Sequence, residues 1–498
     1  MTDSLVSIFL LCLCLGQVYA LRNSQAAAVA YYICVAPLTY FSVWMGATID
    51  PSRACGAVFI AVSMLLYRKR ERIHHALYHR LLLLYLYGIG ITVLQSMFWP
   101  LNAVQSSSAS YTILRGVISA FNWTVALGMA AQIASALQRP QSVKLIAKSV
   151  IIVGFGLSLY AIYQNVAYSY GLPTTGIRRP VLTGMIDATH REEFASYHLD
   201  NEALTVFRPG SLVGEPKGLG AVLVLWISIL IVQGLAQRFT IRIAVILATM
   251  LYVLWLTAST SAWGGGVLML CILAIALQTH SALHAGLKRS ALLILVSAVL
   301  MVGGVTYLLF KTAGTISATI SARTIDRLRF DRSFGDLPEK TTLVVLAKRP
   351  LFAIVGSGLG GISFYIAEEL GGTQLILTPN SGILSTISEI GILGTLLLLG
   401  VCLPGMQLIW SRIRRGGLIE LQLAIVGSAA LGMYFVKGNP LLLSCGLGLL
   451  IAAKQHSRSQ VRVLSNAERA TNCALAQIGL GSRTHIWGPR RGSNEITG

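Results

Sequence analysis

A chain of 498 residues that is 54% hydrophobic and 12% charged carries half the usual polar coat, since soluble globular proteins hold roughly 25% charged residues. That excludes a cytosolic enzyme, a disordered regulator and a secreted disulfide scaffold, and leaves a polytopic membrane protein. The formal charge of +20 comes from 39 Lys and Arg against 19 Asp and Glu, and because the basic residues sit between apolar runs they read as membrane topology, with no nucleic acid as partner.

A spanning helix needs about 20 mostly apolar residues. On that ruler the candidate spans in chain order are 5–20, 26–46, 54–67, 81–99, 112–136, 149–169, 219–237, 243–257, 262–278, 290–310, 382–409, 418–436 and 439–453. The predicted fold is an all-α, polytopic membrane helical bundle of about 13 transmembrane helices with two large external, periplasmic-side loops. Residues 5–20 have no basic stretch before them, so they read as a span and not as a cleaved signal. By region, 1–169 holds the N-terminal helices, 170–218 the first external loop and 219–310 the central helices. A second large external loop follows at 311–381, then the C-terminal helices at 382–453 and a basic cytoplasmic tail at 454–498 that reads as disordered.

Orientation follows from Lys and Arg in the short loops. Arg68, Lys69, Arg70, Arg72 and Arg80 follow the third span, and Arg139, Lys144 and Lys148 the fifth. Arg238 and Arg242 follow the seventh, Lys288 and Arg289 the ninth, and Arg412, Arg414 and Arg415 the eleventh. All of these fall on one side, which predicts the N-terminus outside and the tail in the cytoplasm. Long loops escape this rule, so the basic residues of the two external loops need another reason: a solvated, salt-bridged surface or recognition of an anionic ligand. Seven of the eight cysteines lie in or at the edge of apolar runs and Cys473 lies in the tail, a distribution that argues against a disulfide or metal framework.

Three segments carry chemistry. The first external loop ends Phe207-Arg208-Pro209-Gly210-Ser211-Leu212-Val213-Gly214-Glu215-Pro216-Lys217-Gly218-Leu219-Gly220, whose prolines and glycines predict a structured turn running straight into a span. Arg208 there offers a planar fork of donors that suits phosphate oxygens, although an arginine near a helix end also snorkels to headgroups. The second loop contains Lys348-Arg349-Pro350-Leu351-Phe352 followed by Gly356-Ser357-Gly358, which follows no βαβ pattern and is rejected as a dinucleotide loop. It closes on Pro379-Asn380-Ser381-Gly382 and runs on to Glu389-Ile390-Gly391. Glu389 lies about two turns into a span, a costly place for a carboxylate unless it faces a cavity or a partner.

Taken in order, and with Thr257-Ala258-Ser259-Thr260-Ser261 before the ninth span, these pieces resemble the O-antigen polymerase/ligase family of bacterial membrane glycosyltransferases. The likeness covers roughly 200–410. It departs from the ligase pattern at Pro379-Asn380, where ligases typically show His-Asn. The resemblance implies transfer, with inversion, of a polyprenyl-pyrophosphate-linked glycan to a glycan or lipid-core acceptor on the outer face of the bacterial inner membrane. Membrane lipids and other polysaccharide assembly proteins are the further partners it implies. It requires no cofactor and no metal, because arginines stabilise the pyrophosphate leaving group: Arg208 with Arg327, Arg329 or Arg332. Glu389, Glu215, His190 and His198 are the candidates for the general base, with Glu215 alternatively pairing Arg208. Asn380 and Lys217 support the donor and acceptor site, while Arg115 and Lys437, near span ends, read as snorkelling residues. Polymerase is favoured over ligase; the remaining alternative is a transporter of lipid-linked glycan.

Overall fold

The computed structural model describes residues 3–44, 48–66, 75–100, 109–170, 172, 198–201, 204–207, 209–237, 240–257, 259–279, 337–372, 378–379, 381–410 and 418–477. Long runs of Leu, Ile, Val and Ala make these almost entirely helical. In chain order come α1 (Asp3–Asn23), α2 (Gln25–Val35), α3 (Pro51–Leu66), α4 (His75–Ser96), α5 (Ala109–Ala136) and α6 (Pro140–Ser169). Next are α7 (Pro216–Gln237), α8 (Ile241–Leu256) and α9 (Thr260–Thr279). Three short helices, α10 (Leu337–Lys348), α11 (Pro350–Val355) and α12 (Ile362–Glu369), precede α13 (Gly382–Trp410), α14 (Leu418–Lys437) and α15 (Pro440–Gln477). Local chemistry sets many of the ends. Ser24 Oγ and Thr240 Oγ1 accept from the first turns of α2 and α8, and proline opens α6, α7 and α15, where its missing N–H costs nothing.

Among the described residues, seven helices are long and apolar enough to cross a membrane: α1, α4, α5, α6, α7, α13 and α14. The chain is a helical membrane protein. Four more apolar helices are shorter: α2, α3, α8 and α9. The span expected at 290–310 lies outside the described residues.

Two expectations are corrected. The run 26–46 is not one helix: α2 stops at Val35, and although Ala36 keeps helical angles and donates to Tyr32 O, Pro37 has no N–H with which to carry the ladder on. One 3-10 turn (Thr39–Phe41) and a small hairpin of β1 (Val43–Trp44) with β2 (Thr48–Ile49) follow. At 11 residues α2 is about 16 Å long, well short of a bilayer core of about 30 Å. The tail expected to be disordered from 454 instead continues α15 to Gln477. Its Lys, Gln, Arg and Ala residues are good helix formers, and a helix already nucleated in the bundle extends at little further cost. The segment between α6 and α7 also holds an antiparallel hairpin, β3 (His198–Asn201) with β4 (Leu204–Phe207), in the register His198↔Phe207.

Inside the bundle α7 is the most enclosed of the seven long helices, with 83% of its apolar window buried and Trp226 fully enclosed. The end of the bundle that bears the basic short loops is tied by side chains: Gln25 Nε2 donates to Gln132 Oε1 at 3.0 Å, Gln132 Nε2 to Ser63 Oγ at 3.2 Å, and the His456 ring meets Leu137 O at 2.6 Å. The opposite end, from which the two long loops depart, is tied largely through backbone. Thr39 Oγ1 donates to Val213 O, Ser211 N to Gln164 Oε1 at 2.8 Å, and Ser211 Oγ to Leu157 O at 2.8 Å.

Helix α13 is interrupted. Gly391 has φ 67 and ψ 178, so Gly382–Ile390 and the stretch beyond it are two helical pieces meeting at a break.

Candidate functional site

The segments singled out in the sequence meet at the loop end of the bundle. The turn at Pro209–Glu215 is a 3-10 turn over Ser211–Val213, closed by Gly214 in the left-handed region, and it feeds Pro216 into α7. A Cβ on Gly220, one turn into α7, would lie 3.2 Å from Thr257 Oγ1 and 3.3 Å from Ser259 Cβ. The first and second motifs are therefore in contact, with Thr257 and Ser259 buried beneath. Glu215 Oε2 lies 3.9 Å from Lys437 Nζ at the end of α14, and this lysine side chain is only 15% exposed. Lys437 thus reaches into the protein rather than to headgroups. Lys217 opens α7 beside this pair, half-buried.

The third and fourth motifs interlock. Ser357 N donates to Ser388 O at 2.8 Å and Gly358 N to Glu389 O at 3.0 Å, while Ser357 Oγ donates to the same Ser388 carbonyl at 2.8 Å. These are the carbonyls that the break at Gly391 frees from the ladder, and an unsatisfied carbonyl inside lipid costs several kcal/mol, so the Gly356–Gly358 turn is what makes the break tolerable there. Contact is backbone to backbone: a Cβ on Gly356 would stand 2.3 Å from Glu389 O. The turn is in turn held by α4 and its end, through Tyr87 Oη to Val355 O (2.8 Å), Thr92 Oγ1 accepting from Leu359 N (2.9 Å) and Trp99 Nε1 to Ser357 O (2.8 Å).

Behind this turn, α10, α11 and α12 form a small helical unit whose core is Trp99, Val345, Phe352, Ile362, Phe364 and Tyr365. Lys348 pairs with Glu369, Arg349 pairs with Glu368 at 2.8 Å, and the Arg349 guanidinium lies 4.4 Å from the Tyr365 ring centroid. Burial pushes the Tyr365 phenol above its ordinary pKa, with Arg349 beside it acting in the opposite sense. Of the two readings for the loop's basic residues, Lys348 and Arg349 fit the salt-bridged one.

Glu389 is half-buried at the break. Ser385 Oγ donates to Glu389 Oε1 at 3.4 Å, the Gly360 N–H faces the carboxylate, and the Arg115 guanidinium on α5 is its charged neighbour. The Tyr434 phenol on α14 also feels that charge and shares a 3.1 Å hydrogen bond with Thr386 Oγ1. Arg115 Nε donates to Gly360 O at 3.2 Å.

Glu215, Lys217 and Glu389 therefore all sit at the loop end, Glu215 in an ion pair with Lys437 and Glu389 beside the Gly360 turn that Arg115 holds. Arg208, Arg327, Arg329, Arg332, Asn380 and His190 lie outside the described residues; His198 is placed only as backbone in β3. Sequence reasoning missed the partners. Arg115 and Lys437 looked like isolated span-end cations, and nothing local in the sequence pairs them with glutamates on distant helices. Among the described residues no three His, Cys, Asp or Glu side chains cluster as a metal site would require. No family model, curated protein or solved structure matches the chain.

Proposed function

We propose that the chain is an integral membrane glycosyltransferase of the O-antigen polymerase/ligase type, working on the outer face of a bacterial inner membrane. In this reading the chain crosses about 13 times, with its N-terminus outside, the two long loops outside and the tail in the cytoplasm. A polyprenyl-pyrophosphate-linked glycan is the donor and a sugar hydroxyl the acceptor. Polymerase is preferred to ligase because Pro379 stands where ligases carry histidine.

The observation that carries the reading is the meeting of separated motifs. The Pro209–Gly220 turn, the Thr257–Ser261 turn and the interlocked Gly356–Gly360 and Ser385–Gly391 segments converge on the loop end of the bundle, where Glu215, Lys437, Arg115 and Glu389 lie. Chemically, Arg208 and one of Arg327, Arg329 and Arg332 hold the pyrophosphate as it gains charge, and Glu389 accepts the proton of the attacking hydroxyl. Glu215, engaged with Lys437, serves to position the turn that carries Arg208.

Surface glycan and lipid-linked intermediates in a deletion strain test the class. Single units without polymer are expected; long lipid-linked polymer would instead mean ligase. Replacing Arg208 with Ala should then lower transfer by about 10²–10³-fold at unchanged membrane abundance. Arg208→Lys should recover only part of it, because an ammonium lacks the fork. Near-normal product from the Ala variant would sink the assignment.

A second reading has one observation in its favour. Broken helices mark substrate paths in transporters, and α13 is broken at Gly391. A flippase predicts that the deletion strain retains lipid-linked units on the cytoplasmic leaflet alone.

A further inference from the structure

The geometry points to Arg115 as a positioning residue of the candidate site, an inference that rests on the glycosyltransferase reading above. An arginine that snorkels lays its stem along the lipid-facing flank and sends its head to the headgroups. Arg115 does otherwise. Its neighbours Ile113, Leu114 and Val117 are exposed at 65%, 44% and 59% on the apolar flank of α5, whereas the arginine head turns to the second loop and to α13. Nε donates to Gly360 O at 3.2 Å, and Cζ lies 6.0 Å from the Phe364 ring centroid.

Gly360 is consequently gripped from two sides. Its carbonyl takes Arg115 Nε and also Ser363 Oγ at 2.7 Å, and its N–H faces Glu389. The turn that covers the α13 break and the carboxylate at that break are thus registered against each other by one side chain on a third helix. The face of α5 that does this is polar at helical spacing: Arg115, Ser119 and Asn122 fall at i, i+4 and i+7. Ser119 Oγ lies 2.3 Å from where a Gly360 Cβ would stand, and Asn122 Oδ1 is buried without a hydrogen-bond partner among the described residues. An Arg and a Glu at this depth, both on inward-facing polar ground, form a pair that orients the carboxylate rather than two separate surface charges.

The test uses full-length protein in lipid vesicles with undecaprenyl-pyrophosphate-linked repeat units isolated from the producing strain. Arg115→Gln should lower kcat by about 10²-fold with donor KM little changed, the signature of a misplaced group rather than of lost binding. Arg115→Lys, which keeps the charge and folds under either reading, should recover part of kcat and remain at least tenfold below wild type, because one ammonium cannot hold the Gly360 carbonyl and face Glu389 together. Wild-type kcat in Arg115→Lys, with Arg115→Gln reduced only in abundance, restores snorkelling and overturns the proposal. Wild-type protein that transfers nothing overturns the glycosyltransferase reading itself, and the positioning role falls with it.

Discussion

Helices α13 and α15 are the two long elements of the C-terminal third, and they meet their neighbours by opposite means. Helix α15 is unbroken over 38 residues and lies close to α14 and α5 because small side chains let backbones approach. A Cβ on Gly446 would stand 2.9 Å from Leu431 N, and Ser444 Oγ donates to Ala126 O at 3.0 Å. Helix α13 is far more apolar along its length but opens its ladder at Gly391, and the loop turn at Gly356–Gly358 supplies the missing donors. Glycine serves both, in different capacities. In α15 it is valued for the absent side chain, and in α13 for a backbone conformation closed to L residues. The packed interface tolerates graded change; the interlock does not.

Four substitutions break or sharpen that contrast. Gly391→Ala should have the largest effect, since φ 67 with ψ 178 is a region essentially reserved to glycine and the new Cβ would meet Ile354 O at 2.3 Å. The strain alone costs about 1–3 kcal/mol, and with the clash added little folded protein is expected by gel filtration in detergent. Gly400→Ala in the same helix has open space around it and should be neutral or better, which separates the break from helix propensity in general. Gly446→Ala comes next, with about 1–3 kcal/mol lost to overpacking. It should lower the thermal midpoint in detergent while leaving a monodisperse protein, and an unchanged midpoint would refute close packing as the tie between α14 and α15. Ser357→Ala is the mildest of the destabilising changes, removing one of two donors to Ser388 O at about 1 kcal/mol. A collapse as severe as that of Gly391→Ala would show that the hydroxyl, not the backbone, carries the interlock.

The sequence was legible where one physical effect dominated. Apolar length located α1, α5, α7, α13 and α14 to within about three residues, because partitioning into lipid overrides local preference, but it placed the starts of α4 and α6 too late, at 81 and 149 instead of His75 and Pro140. It misled at 26–46, where composition alone hid the consequence of Pro37, and beyond 454, where polarity was taken for disorder although the residues are helix formers. At the site, Glu389 was visible as a misplaced charge, and Glu215 as a charge in a rigid turn. Their surroundings were not, since Lys437 meets Glu215, and Arg115 meets the Gly360 turn beside Glu389, only through tertiary contact. The use of the Gly356-Ser357-Gly358 turn was illegible: a glycine pair announces unusual backbone and says nothing about which carbonyls it will meet.

The break in α13 also bears on the order in which the protein is assembled. Ribosomes deliver α4, then α5, then the turn at Gly356–Gly358, and only afterwards Ser388 and Glu389. When α13 enters the membrane, the donors from which its exposed carbonyls accept already exist, and so do Tyr87, Thr92 and Trp99 that steady them. An interrupted span that follows its partners in the chain finds its receptacle in place, so this joint never waits in lipid for a donor still to be translated.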